Sequence, residues 1–327
     1  MQNQSFKDTE LSIVIPAFNE EKNIVLIYEE IIRTLLPLSL KSLEIIFVND
    51  GSQDKTGEEI KKLTQLDHQV KLISLSRNFG HQNAILAGYK HSSFEYTVTL
   101  DADLQHPVTL IPKMLQIVLH NNTDIVITKR IDHSFDVKIF CAKLFYKCIG
   151  LISDFQILPG TADFRLLNRK ALNALLEFKE YNLFYRGLIN LIGFNQEILE
   201  YIPNKRNHGQ SKYNLKRQIQ FAIDGVTSTS TLPIRISTFL GIFFSLISFL
   251  YLIYALYMKL ILNVAVTGWT SLIICILFIG GVQLTMLGII GEYLGKIFFE
   301  VKNRPSYLIS ETVNLVCSNA TSTHKDR

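Results

Sequence analysis

Apolar positions in the first half of the chain fall into short runs separated by longer stretches of helical spacing. The runs at 11–16, 43–49, 70–74, 96–100 and 125–129 are rich in branched aliphatic residues. Between them, 20–35, 56–66, 82–91 and 107–120 carry apolar residues three and four apart, the period of one helix face. This alternation predicts an α/β domain: a mostly parallel sheet with helices on both faces. The run Ile45-Ile-Phe-Val48 is unbroken, as a strand covered on both sides requires.

The second half changes character. No charged residue occurs at 236–258 or at 260–291, and Lys259 alone interrupts. About 20 apolar residues cross a bilayer core, so the pattern predicts a C-terminal hairpin of two transmembrane helices, 236–258 and 269–291, joined by a turn at 263–268. A very apolar soluble core is the other reading of such runs. Lys205, Arg206, Lys212, Lys216, Arg217 and Arg235 precede the first span, while Lys296, Lys302 and Arg304 follow the second. That bias places both ends on the cytoplasmic side. Residues 214–230 read as a basic amphipathic helix suited to the headgroup interface. Gly291 and Gly295 have the spacing of a helix-packing motif.

Composition narrows the field. A formal charge of +4 over 327 residues is too small to argue for nucleic acid. The four cysteines show no metal or redox spacing and suggest a reducing compartment. The polar N-terminus has no apolar signal-peptide core. Neither a G-x-G-x-x-G turn nor a Gly-Lys-Ser/Thr phosphate loop is present, which disfavours dinucleotide dehydrogenases and ATPases.

In sheets of this kind ligands bind at the carboxyl ends of the strands. Asn19 and Glu20 follow the first strand, Asp50 the second, and Asp101 and Asp103 the fourth. If the chain stays extended, Asp101 and Asp103 face one way, with the Gln105 amide next in line. Few, hard oxygen ligands suit Mg²⁺ or Mn²⁺ shared with substrate phosphates. An acidic solvated turn is the competing reading.

Taken in order, Val14-Ile-Pro-Ala-Phe-Asn-Glu20, Val48-Asn-Asp-Gly-Ser52, Leu75-Ser-Arg-Asn-Phe-Gly-His81, Leu100-Asp-Ala-Asp-Leu-Gln-His-Pro107, Asp163-Phe-Arg-Leu166 and Gly209-Gln-Ser-Lys212 resemble one family. It is the polyprenyl-phosphate glycosyltransferases of glycosyltransferase family 2, with bactoprenol glucosyltransferases and dolichol-phosphate mannose synthases among them. The likeness covers roughly 11–305 and implies a GT-A type fold.

The resemblance implies a set of roles. Pro16, Asn19, Glu20, Asp50 and Asp101 bind the nucleotide sugar, with Asp50 accepting from the base. Asp103 and Gln105, supported by Asp101, hold Mg²⁺ or Mn²⁺. Asp163 stands where the family has its proposed base, though it could instead orient sugar or acceptor, or pair with Arg165. Arg130, Arg206 and Lys212 hold the lipid phosphate and the donor diphosphate. His106 reads as a structural residue beside Pro107, and Arg77 and His81 have no assigned chemistry. The implied reaction is inverting transfer of one sugar, UDP-glucose being the first choice of donor and GDP-mannose the alternative, to polyprenyl (undecaprenyl) phosphate at the cytoplasmic membrane face. The partners are then the donor, the lipid acceptor, the membrane and, as in many relatives, a second copy of the chain. The expected division is a catalytic domain at 1–204, a basic juxtamembrane segment at 205–233, two spans within 234–292 and a cytoplasmic tail at 293–327. A processive polysaccharide synthase is disfavoured because the only tryptophan, Trp269, lies in a membrane run. An inactive scaffold of the same fold is disfavoured because Asp101, Asp103 and Asp163 are all present.

Overall fold

The computed structural model describes residues 6–131, 160–180, 185–203, 232–261 and 268–315. Among these, eight strands form one sheet: β1 (Glu10–Ala17), β2 (Ser42–Asn49), β3 (Val70–Leu75), β4 (Tyr96–Thr99), β5 (Ile125–Arg130), β6 (Thr161–Asn168), β7 (Gln196–Tyr201) and β8 (Ile309–Val313). Their spatial order is β7-β5-β6-β4-β1-β2-β3-β8. Strands β1–β4 pair in parallel, as the alternation predicts, and so do β5 and β7. Strand β6 runs antiparallel between β4 and β5, and β8 runs antiparallel on the β3 edge.

Helices cover both faces. On one lie α1 (Ile24–Leu35), α2 (Thr56–Leu66) and α4 (Ile111–Asn121), whose Ile27, Ile31, Ile60, Met114 and Leu115 pack on Ile13, Ile15, Phe47 and Phe164. On the other lie α3 (His81–His91), α5 (Arg169–Leu176) and α6 (Tyr185–Leu191), packed on Val14, Ile46, Val48 and Ile127. Successive strand residues thus enter opposite cores, which is why Ile45–Val48 of β2 is an unbroken apolar run. Each fully buried aliphatic side chain contributes about 1.5–3 kcal/mol. Helix α3 lies close to β1: a Cβ on Gly88 would come within 2.2 Å of Val14 Cγ1.

Two further helices, α7 (Leu232–Leu260) and α8 (Trp269–Val301), form a separate compact unit. Both are long and apolar enough to cross a membrane, and large apolar side chains such as Phe239, Leu246, Phe249 and Leu287 are exposed. Phe244 and Phe278 join the two helices edge to face, with ring centroids 5.4 Å apart.

Three expectations change. Helix α8 continues to Val301, beyond the expected end of the second span. A Cβ on Gly291 or Gly295 would meet no described neighbour within 4 Å, so their spacing marks no packing seam among the described residues. The segment expected to be a tail returns to the sheet. Ser76 N–H donates to Leu308 C=O at 2.9 Å, and Asn314 Nδ2 donates to Thr64 C=O at 2.8 Å and Val70 C=O at 3.0 Å. Strand β8 therefore closes an edge that would otherwise expose unpaired backbone groups. The juxtamembrane segment falls almost wholly outside the described residues, as do Arg206 and Lys212.

Candidate active site

The rim beyond β1 and β2 is knitted by its own side chains. Asn19 takes a left-handed conformation (φ 57°). Its N–H donates to Ser52 Oγ at 3.0 Å, and its Oδ1 accepts from Gln53 N–H at 2.9 Å. Glu20 N–H donates to Thr56 Oγ1 at 2.8 Å, while Glu20 Oε2 accepts from Asn23 Nδ2 at 2.5 Å. Pro16 departs from expectation: it lies buried within β1, paired with Val48, rather than lining an opening.

Asp50 follows β2 directly. It is buried, and its two oxygens accept from Phe79 N–H at 2.7 Å and Gly80 N–H at 3.0 Å. Burial raises its carboxyl pKa above the ordinary aspartate value, opposed by those two backbone donors. The carboxylate expected to meet a base also fixes a loop. Gly51 completes the arrangement at φ 64°, where an added Cβ would sit 2.3 Å from Arg77 carbonyl carbon. Asp50 and Gly51 thereby set where residues 77–80 run and where α3 begins.

The acidic cluster forms where β4 and β6 end together. Thr99 pairs with Arg165 in the antiparallel register, and the same register carried two residues further puts Asp101 beside Asp163. The chain at 101–106 is a turn rather than an extended strand, with Leu104 at φ 61°, so simple alternation does not bring Asp101 and Asp103 together. His106 lies buried with its ring stacked on Phe164 at 5.2 Å, and the Asp101, Asp103 and Asp163 charges all act on it. His106 Nδ1 accepts from Asp101 N–H at 3.1 Å, which fixes the main chain that carries the first carboxylate. Burial holds the imidazole pKa below its ordinary value against the pull of the three carboxylates. The sequence reading of His106 as a structural residue fits this placement.

Asp163 and Arg165 occupy the same face of β6 as a buried ion pair through Asp163 Oδ1. Asp163 Oδ2 faces Gln82 Nε2 at 3.5 Å and His81 Nε2 at 3.6 Å, and the same His81 nitrogen is 3.4 Å from Asp101 Oδ1. His81, which had no assigned chemistry, thus lies between two of the expected site carboxylates. Its signal was its place at the start of a helix immediately after a glycine, read beside a strand-end acid.

The side chains fit a divalent cation in part. Asp101 Oδ1 is shielded from solvent and accepts no hydrogen bond, facing His81 Nε2 at 3.4 Å, an arrangement that leaves a buried acceptor with capacity to spare for a cation. Asp103 is buried next to it in the chain, its Oδ1 accepting from Gln105 N–H at 3.2 Å. Two carboxylates leave coordination positions open for phosphate oxygens. Gln105 Oε1, expected to join them, accepts from Arg130 Nη2 at 3.2 Å. Among the described residues no group of three or more His, Cys, Asp or Glu forms a closed metal cage. Arg130, at the end of β5, also donates from Nε to Tyr201 Oη at 3.1 Å, which places its positive charge beside the acidic cluster.

Comparison with known proteins shows the family. Residues 12–176, from β1 to the end of α5, match the family described as Glycosyl transferase family 2. An uncharacterized glycosyltransferase, sll0501, of Synechocystis is 41% identical over 92% of this chain and 95% of its own length. The putative glycosyltransferase CsbB of Bacillus subtilis is 40% identical over 92% of this chain and 91% of its own. The SfII prophage-derived bactoprenol glucosyl transferase of Shigella flexneri is 38% identical over 92% and 98%. With the family matched across the acidic rim and relatives aligned almost end to end, the chain belongs to glycosyl transferase family 2 and is a glycosyltransferase.

Proposed function

We propose that this enzyme transfers one sugar, glucose by first choice, from a UDP-sugar to a polyprenyl phosphate at the cytoplasmic face of a membrane, with inversion at the sugar carbon. The observation that carries the reading is the meeting of Asp101 and Asp163 at the shared end of β4 and β6, bridged by His81. The acceptor and sugar are supported by the relative named as a bactoprenol glucosyl transferase. Membrane placement is supported by the two apolar helices and by the return of the chain into the sheet at β8 after α8. A hairpin whose two ends both belong to chain leading back to one sheet enters and leaves a bilayer on the same side.

The chemistry asks little of a base. A phosphate monoester carries about −1.5 to −2 charge at neutral pH and is already nucleophilic. Its oxygen attacks the sugar carbon in line, the bond to the donor's diphosphate breaks, and the nucleoside diphosphate leaves with the electron pair. Asp101 and Asp103 would hold a divalent cation, Mg²⁺ or Mn²⁺, which supplies electrostatic stabilisation of the charge developing on that leaving group. Asp163, clamped on one oxygen by Arg165, orients the sugar or the incoming phosphate through the other. Asn19 and Glu20 shape the rim for the nucleotide. Arg130 exchanges Gln105 for an anionic oxygen, and Arg206 and Lys212 draw in the lipid phosphate.

The test uses membranes carrying the full chain, supplied with labelled UDP-glucose and undecaprenyl phosphate. Label is expected in an organic-extractable lipid, with release of UDP. Label entering only from GDP-mannose would overturn the choice of donor, and no lipid product from either would overturn the choice of acceptor.

A further inference from the structure

We propose that His81 is a positioning residue for the transfer, a single side chain that sets the spacing between donor-side Asp101 and acceptor-side Asp163. The proposal rests on the reading of the site given above. Two carboxylates at the end of neighbouring strands repel unless something stands between them, and His81 Nε2 stands 3.4 Å from Asp101 Oδ1 and 3.6 Å from Asp163 Oδ2. These contacts are longer than tight hydrogen bonds, and such contacts commonly close only when substrate is bound.

The placement of His81 is built rather than incidental. His81 opens α3, and the two residues before it are held by the buried Asp50 carboxylate through Phe79 N–H and Gly80 N–H. From the other side, Arg165 fixes Asp163 through Oδ1, and His106 fixes the Asp101 main chain through Nδ1. Each carboxylate therefore has anchors of its own, and His81 stands between the two. Gln82, one residue on, reaches only Asp163 among these, at 3.5 Å. His106 Nε2 lies 3.8 Å from Asp101 Oδ2, whereas Oδ1, which accepts no hydrogen bond, faces His81, so loss of the His81 imidazole removes the group that sets Oδ1 towards Asp163.

Misplacing a reacting group by about 1 Å costs on the order of 100-fold in rate. The purified full-length protein in vesicles containing undecaprenyl phosphate is expected to show a kcat about 30-fold or more lower in His81→Ala, with the donor KM within about threefold of wild type. His81→Gln, which keeps a donor near the same place, is expected to recover most of that loss. In the His81→Ala/Asp163→Asn double variant the loss should not exceed that of Asp163→Asn alone, since residues acting as a unit are non-additive. Multiplying losses, or a His81→Ala kcat within about threefold of wild type, would overturn the proposal. A second readout needs no turnover. In protein labelled with ¹⁵N-histidine, the resonance that His81→Gln removes should move in Asp163→Asn while the unfolding midpoint of His81→Gln stays that of wild type. An unmoved resonance overturns the proposal. Wild-type protein that transfers no sugar in the same vesicles would instead overturn the proposed function, and the resonance would still report on His81.

Discussion

Asp163 and Arg165 lie two residues apart on one face of β6 and pair with each other in the interior, each almost completely buried. The pair is what allows a carboxylate to be presented from the middle of a sheet. It also makes a definite demand on stability, because a buried charge stripped of its partner is costly. Arg165→Met should lower unfolding free energy by about 3–5 kcal/mol, measured by denaturant titration of the detergent-solubilised protein. The double variant Arg165→Met/Asp163→Asn should recover part of that loss. A single-variant loss below about 1 kcal/mol would mean that the charges are not paired as described.

Gly51 makes a second demand. At φ 64°, with Arg77 backbone atoms where a Cβ would go, Gly51→Ala meets both a strained dihedral and a clash. A cost of about 1–3 kcal/mol is expected, together with a fall in transfer rate, because residues 77–80 carry the chain to His81. Stability and activity measured on the same preparation check it; an alanine variant with wild-type values for both would show that the two loops are not in contact.

Acid should act on the site through His106. Buried in the fold, its imidazole has a pKa below the ordinary 6.5, whereas the unfolded chain protonates near that value. The unfolded state therefore binds more protons as pH falls below 6.5, so stability is fully present above that value and is lost on acidification towards the folded-state pKa. Protonation of Nδ1 also removes the acceptor for Asp101 N–H. Thermal midpoints measured between pH 5 and 8 (on the order of a three-unit window) should fall on the acid side in wild type and fall less steeply in His106→Gln. Parallel profiles would remove His106 as the cause.

The return of the chain at β8 can be tested by truncation. Ending the protein after Arg304 removes the Leu308 carbonyl that accepts from Ser76 N–H and the whole ladder on β3. Amide exchange at Ser76 and along Val70–Leu75 should accelerate by about tenfold or more while β1 and β4 stay protected. Unchanged protection at Ser76 would argue against the strand.

Much of the sheet was legible because its strands and helices differ in period. Strands β1 to β5 are short runs rich in branched aliphatic residues, and α1 to α4 repeat at three and four residues, so each declares itself without knowledge of the rest. Strand β6 was not legible: Thr161-Ala-Asp-Phe-Arg-Leu-Leu-Asn168 buries an acid and a base in what would otherwise be an apolar face, and only their mutual pairing makes that tolerable. Strand β8 is short, half polar and remote from its partner in sequence. At the site, Asp101 and Asp103 were found from their place after β4. The roles of Asp50, Gln105 and His81 depend on contacts between separate loops, with Asp50 turned to the backbone of residues 79–80 and Gln105 turned to Arg130. No pattern local to those residues encodes such contacts.

The central claim, that the acidic pair after β4 holds a divalent cation for transfer to a lipid phosphate, is tested most directly by one comparison. Purified wild type and Asp103→Ala, both folded and reconstituted with undecaprenyl phosphate, are stripped of metal and then titrated with Mn²⁺ while labelled UDP-glucose is converted to lipid. The account predicts no lipid product in metal-free wild type, full recovery on adding Mn²⁺, and a loss of about 100-fold or more in Asp103→Ala at every Mn²⁺ concentration. Transfer by metal-free wild type, or by Asp103→Ala at the wild-type rate, would contradict it.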